Sequence, residues 1–285
     1  GGGGEGAAGG EERRDLERFA HRFPYLQRLE IRSKGLASVA GLEHLKRLEV
    51  VDLGGCEKLT GKSFVVLRGM PVLRTVKLRG SGLNDAGLEA LAGVRALTCL
   101  DASRCPAISD VGLRALATSP ALNALDLSEC PGVSANGLAH LRSLRSLRAL
   151  LLRSSDARSG GGILGGLINA GIGDGGCEAV GGIQSLTSLD LSGWLTVTDD
   201  GVRSLAALER LEELSLRDCR RLTEESLSIL EEMELKSLDL EGCVGIPLLS
   251  RQGFGRRGAG GGAGGAAGSE GVGQLARAFE GGMNF

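Results

Sequence analysis

A leucine at position 48 returns at Leu73, Leu97, Leu122, Leu147, Leu186, Leu211 and Leu235, at intervals of 25, 24, 25, 25, 39, 25 and 24 residues. A fixed period of this size is the mark of a stacked-repeat architecture, in which one supersecondary unit recurs and buries its apolar face against its neighbours. Such a chain grows by addition of units and has no single compact centre, so a length of 285 residues does not here imply one or two globular domains. The stretch from Leu122 to Ser146, LNALDLSECPGVSANGLAHLRSLRS, is one complete copy of the unit.

Each unit opens L-x-x-L-x-L, an alternation that suits a short strand with one face inward. An apolar residue followed by a polar one comes next: Leu59-Thr60, Leu83-Asn84, Ile108-Ser109, Val133-Ser134, Val197-Thr198 and Leu222-Thr223. The polar member is of the type that caps a helix by accepting a bond from a free backbone N–H of its first turn. Asp85, Asp110 and Asp199 follow directly, where a negative charge favours the helix N-terminus. Gly87, Gly112 and Gly201 come two residues later and allow close approach of neighbouring helices. Leu88-Leu91, Leu113-Leu116 and Leu138-Leu141 then form the buried face of a short helix. The fold class expected is α/β: a solenoid with a parallel sheet on one side and short helices on the other.

Five of the seven cysteines, Cys56, Cys105, Cys130, Cys219 and Cys243, occupy the same place in their units, three residues after the last inward strand residue. Disulfide frameworks and zinc sites space their cysteines in pairs, and these are not paired. They read as a structural ladder of reduced, buried thiols, small apolar fillers with a weak S–H donor. Such a ladder suits a reducing compartment, cytoplasmic or nuclear. Trp194, the one tryptophan, stands in the cysteine position of its own unit.

These residues resemble the cysteine-containing class of leucine-rich repeat, L-x-x-L-x-L-x-x-C followed by I-[TS]-D-x-G-L-x-x-L, as in LTCLDASRCPAISDVGLRAL. The resemblance covers about Leu48 to Ile246. It implies a curved, right-handed solenoid whose concave sheet binds other proteins. It also implies two biological settings: the substrate-recognition half of an F-box (SCF-type) ubiquitin ligase, or a free-standing scaffold or signalling protein. About 25 residues precede the first repeat in this sequence, roughly half of what an F-box needs, so the first setting has no visible F-box to support it.

The expected organisation is a Gly-rich disordered tail over 1–10 and an N-terminal capping helix over 11–25, with Leu16, Phe19 and Phe23 at helical spacing. About nine repeats over 26–250 follow, interrupted by an insertion at 153–170, and a Gly/Ala-rich disordered tail occupies 251–285. The insertion accounts for the one long interval; a degenerate extra repeat starting at Leu164 is the competing reading.

Composition narrows the partner classes. A net charge of −2 provides no field for nucleic acid or an anionic membrane, and 3% aromatic residues is too few for base-stacking platforms. No apolar run approaches the ~18 residues of a spanning helix. The residues 54–63, GGCEKLTGKS, come near a phosphate-binding loop, which would make the chain a nucleotide-binding enzyme. However, G-x-x-x-x-G-K-[ST] requires glycine where Cys56 stands. No H-E-x-x-H or G-x-S-x-G motif occurs, and His21, His44 and His140 are scattered. The chain is therefore expected to be non-enzymatic, monomeric and without cofactor or metal, with a protein as its partner.

On the outward face of the strands, register places Glu30, Asp52, Lys77, Asp101, Asp126, Leu151, Asp190, Ser215 and Asp239 in one column. The aspartates are the ordinary residue of this repeat. The departures carry more information: Lys77 and Arg79, Leu151 and Arg153, Trp194, and Arg217 with Asp218, Arg220 and Arg221. Arginine presents a planar fork suited to carboxylate or phosphate, and an exposed tryptophan is a common binding anchor. These residues are the candidate partner-binding set.

Overall fold

The computed structural model describes residues 5–154 and 172–247. Among them are nine strands of three residues each: β1 Arg28–Glu30, β2 Val50–Asp52, β3 Thr75–Lys77, β4 Cys99–Asp101, β5 Ala124–Asp126, β6 Ala149–Leu151, β7 Ser188–Asp190, β8 Glu213–Ser215 and β9 Ser237–Asp239. They pair in sequence order into one open, wholly parallel sheet. Parallel neighbours need a crossover, and each unit supplies it as a turn and a short helix. The crossovers are α2 Gly61–Phe64, α3 Asp85–Ala92, α4 Asp110–Leu116, α5 Ala135–His140, α6 Gly173–Gly181, α7 Asp199–Leu205 and α8 Glu224–Glu232, preceded by α1 Glu5–Arg22 at the N-terminus.

The middle residue of each strand faces the helices. Val51, Val76, Leu100, Leu125, Leu150, Leu189 and Leu214 lie in register across the sheet and are buried. The helical pairs Leu88-Leu91, Leu113-Leu116 and Leu138-Leu141 close the same core from the other side. Each fully buried leucine contributes about 1.5–3 kcal/mol relative to exposure, so the stack is held by many equal increments. The predicted caps occupy the N-cap positions. Asn84, Ser109, Ser134 and Thr223 accept from backbone N–H groups of their first turns, whereas Thr60 and Thr198 make no such side-chain bond.

The aspartate after the cap does more than complement a helix dipole. The Asp85 carboxylate accepts from Ser109 N–H at 2.7 Å and Ser109 O–H at 2.6 Å, one unit further on. Asp110 holds Ser134 in the same way, Asp174 holds Thr198, and Asp199 holds Thr223 together with Ser226 Oγ. Four junctions between units are thus stapled by a charge-assisted bidentate contact. The glycines make room for it: a Cβ on Gly112 would stand 2.5 Å from Asp85 Oδ1, and one on Gly137 2.1 Å from Asp110 Oδ1. In Asp199, burial raises the carboxyl pKa, but the hydrogen bonds from Ser226 and Thr223 outweigh it and hold the pKa below its ordinary value.

The row of staples is broken once in its middle. Ala135 stands where aspartate would, and the residue that aspartate would hold is Gly173 instead of Ser or Thr. Even so, β6 pairs directly with β7 and α5 packs on α6, so no strand intervenes where a degenerate repeat would have placed one. Residues 155–171, which hold most of the expected insertion, lie outside the described residues, as do 1–4 and the expected C-terminal tail.

At the N-terminus the helix begins at Glu5, taking in residues expected in the tail. Extension of a helix costs far less than its nucleation, so the helix runs on through Gly6, Gly9 and Gly10, which disfavour it, with Ala7 and Ala8 in its favour. It packs on a 3-10 turn at Leu42–His44 with Ala20 buried and Leu16 partly buried, while Phe23 is 44% exposed with its ring 4.9 Å from that of Phe19.

Candidate functional site

The outward column lies in one row as the register required: Glu30, Asp52, Lys77, Asp101, Asp126, Leu151, Asp190, Ser215 and Asp239 are successive partners across the sheet. The five aspartates share a local task. Each accepts, through Oδ1, the backbone N–H two residues on, at 2.8–3.0 Å: Asp52 from Gly54, Asp101 from Ser103, Asp126 from Ser128, Asp190 from Ser192 and Asp239 from Glu241. This closes the strand end, so the acidic column is structural in origin. Among the described residues no group of three His, Cys, Asp or Glu could hold a metal ion.

The centre of the row is more occluded than a solvated face would be. Leu151 is 1% exposed and forms a small apolar cluster with Cys99, Ala124 and Ala149 on the sheet face. The expectation of Leu151 as an exposed contact is therefore corrected. Beside it, burial first and the nearby Asp101 charge second push the Asp126 carboxyl pKa up to about 6. Arg153 crosses to the next unit and pairs with the buried Asp190 at 2.8 Å (Nε to Oδ2). Arg217 pairs with Glu241 at 2.5 Å and approaches Asp218 at 3.8 Å. Asp218 has φ +60°, a left-handed backbone at a place where four other units carry glycine (Gly55, Gly80, Gly193 and Gly242). Arg220 is partly exposed on the following turn.

Lys77 and Arg79 sit on and just beyond β3, three strands from β6, so the candidate residues fall into two groups and not one patch. Lys77 has no ion-pair partner among the described residues, and Arg79 makes one long contact, 3.4 Å to Ser103 Oγ. The three histidines lie on α1, the 3-10 turn and α5, away from the strands.

Trp194 is not a surface anchor. It has no exposed surface, and its indole Nε1–H donates to Leu152 O at 2.6 Å. The thiol ladder explains why. Cys56, Cys105, Cys130, Cys219 and Cys243 donate S–H to Ile31, Leu78, Ala102, Leu191 and Leu216 O at 3.4, 3.2, 3.2, 3.6 and 3.0 Å. Every acceptor is the last inward strand residue of the preceding unit, and Leu152 is that residue for Trp194. The ladder is therefore a row of hydrogen-bond donors as well as apolar fillers, and tryptophan replaces the thiol as donor. Its ring occupies space beside Gly176, whose Cβ would meet it at 2.8–2.9 Å.

All seven cysteines are free and buried. Burial pushes the Cys99, Cys130 and Cys177 thiols up to about 12 and raises Cys105 and Cys219 as well. Thiolate is the nucleophile, so the folded protein should resist iodoacetamide at pH 8 and take up seven adducts only after unfolding, as read by intact mass. Labelling of any one thiol in the native state would show that its part of the ladder opens.

The near phosphate loop is put to other uses. Cys56 points into the core, Gly55 takes φ +74° to make the turn, and α2 spans only four residues. No described helix is long and apolar enough to cross a membrane.

The family described as "Leucine Rich repeat" matches residues 69–92. No curated protein matches the sequence. Among solved structures, a chain of the yeast Rad7 and Elc1 complex is similar at 17% identity with a TM-score of 0.50, covering 83% of this chain and 74% of that one. Internalin C2 of Listeria monocytogenes is similar at 18% identity with a TM-score of 0.47, covering 80% and 83%.

Proposed function

We propose that this protein, a leucine-rich-repeat solenoid, is a non-catalytic module that binds a protein partner across its sheet face. The observation that carries the reading is the division of labour in the outward row. The aspartates are consumed by closing their own strand ends, whereas Lys77 and Arg79 depart from the repeat and retain donors the fold does not use. A partner with carboxylates spaced across the strands would meet Lys77 and Arg79 at one position and Arg217, in competition with Glu241, at another. Arg153 is less available, because its Nε is engaged by Asp190. The rigid, regular spacing of strands suits extended protein surfaces better than a small ligand, and the sheet face carries no histidine that could act as a general base.

The finer setting, the substrate-recognition part of an SCF-type ubiquitin ligase, draws support from the cysteine-containing repeat pattern and rests on that resemblance. A free-standing scaffold is the competing reading. Quantitative affinity capture tests both. Lys77→Glu and Arg217→Glu should each reduce recovery of a specific partner about tenfold, while Arg114→Glu on the helix side leaves it unchanged. Loss with Arg114→Glu alone would move the binding surface to the helices. Co-purification of ubiquitin-ligase components with the wild-type chain separates the ligase reading from the scaffold reading.

A further inference from the structure

At the rim where helices return to strands, a notch of about 320 Å³ is lined by Arg142, Arg145, Gln184, Ser185, Glu209 and Arg210. These residues come from three successive units and lie on neither face of the sheet.

Arg142 is held in place. Its Nε donates to Ala179 O at 3.2 Å and its Nη2 to Glu178 O at 3.0 Å, carbonyls of the last turn of α6. Gly182 makes room for it, since a Cβ there would stand 2.2 Å from Nε. The same device recurs at Arg68, which donates to Ala90 and Glu89 O beside Gly93. Capping a helix therefore accounts for Arg142 but not for Arg145 and Arg210. At the positions equivalent to these two, the Arg68 region has Pro71 and Ala121. Arg145 and Arg210 are exposed and make no ion pair or side-chain hydrogen bond among the described residues. Ser185 gives its proton to Leu147 O at 2.7 Å, and Gln184 Nε2 donates to Gly181 O at 2.8 Å, leaving its second N–H for a ligand.

We infer that this notch binds a phosphate monoester presented by a phosphorylated peptide segment, at a second site distinct from the sheet face. Three guanidinium groups against the one Glu209 carboxylate leave the lining at +2. A phosphomonoester carries about −1.5 to −2 at neutral pH, so the charges match where a single carboxylate would leave one uncompensated. A planar arginine fork can donate to two phosphate oxygens at once, and one of the three is already ordered by its helix contacts, which lowers the entropic cost of binding.

The test is calorimetric titration of the whole chain with a short glycine-flanked phosphoserine peptide and its unphosphorylated twin. The phosphopeptide should bind at least tenfold more tightly and be displaced by inorganic phosphate. The double change Arg145→Ala and Arg210→Ala should abolish this preference while leaving the melting temperature unchanged. Arg217→Glu, on the sheet face, should leave it intact, so that failure of one site is distinguishable from failure of the other. Equal affinity for the two peptides, or retention of the preference in the double variant, would overturn the assignment. Binding to vesicles bearing phosphorylated headgroups without binding to the peptide would overturn it too.

Discussion

Replacing Trp194 by alanine should lower stability by about 3–5 kcal/mol, the usual cost of truncating a large buried aromatic. Two losses combine. The ring is the largest fully buried side chain, and its removal opens a cavity between α6 and the strand end. Its N–H is the donor that satisfies Leu152 O in a ladder otherwise built from thiols. Phenylalanine would restore part of the volume without the donor, and should recover more than half of the loss if packing dominates. Because solenoid stability is a sum of nearest-neighbour terms, the damage should be local, splitting denaturant unfolding into two steps at the boundary between the sixth and seventh units. A single cooperative transition shifted by less than 1 kcal/mol would mean that the ring is not the wedge proposed. Gly176→Ala supplies a reciprocal check, because its methyl would collide with the ring from the opposite side.

The same residue shows where the sequence was legible and where it was not. Strands, helices, caps and outward row could be read because each is dictated by a rule of period two or of capping chemistry that repeats six to nine times, so errors in one unit are corrected by the others. Trp194 and Leu151 are single departures, and a departure looks the same in sequence whether it serves a partner or fills a gap. The fate of Trp194 depended on Gly176 in a helix one unit back and on Leu152 beyond the long interval, and both contacts are tertiary. The aspartate staples were within reach of the sequence. Asp85, Asp110, Asp174 and Asp199 are each followed one unit later by Ser or Thr, whereas Ala135 is followed by Gly173, so the pairing is written in the chain. Reading the aspartate only as a helix-dipole partner hid it. For the sheet face, register gave the row but not its burial, and the pairing of Arg153 with Asp190 removes one cation that the sequence alone left available.

Asp126 gives the second large effect, and its sign follows from linkage. Its carboxyl pKa is pushed up to about 6 in the folded chain, chiefly by burial and next by the Asp101 charge, whereas in the unfolded chain it keeps its ordinary value near 4. Between these pH values the folded state holds the proton more tightly, so its contribution to stability is complete below about pH 4, declines as pH rises, and is gone above about pH 6. A shift of this size corresponds to about 3 kcal/mol. Asp126→Asn keeps an oxygen able to accept the Ser128 N–H bond while removing the charge. The variant should match the wild type near pH 4 and exceed it by about 2–3 kcal/mol at pH 7–8. Taking the difference between the two curves isolates Asp126 from Glu213 and Asp239, whose pKa values burial also raises. A difference that does not change between pH 4 and pH 7 would show that Asp126 is better solvated than its position implies. At neutral pH the wild type therefore holds, at the occluded centre of its sheet face beside Leu151, a charge that Ser128 and Arg153 only partly offset. A partner that brings a cation or a hydrogen-bond donor to that point would relieve the cost, and its affinity should then be greater for the wild type than for Asp126→Asn even though the variant is the more stable protein.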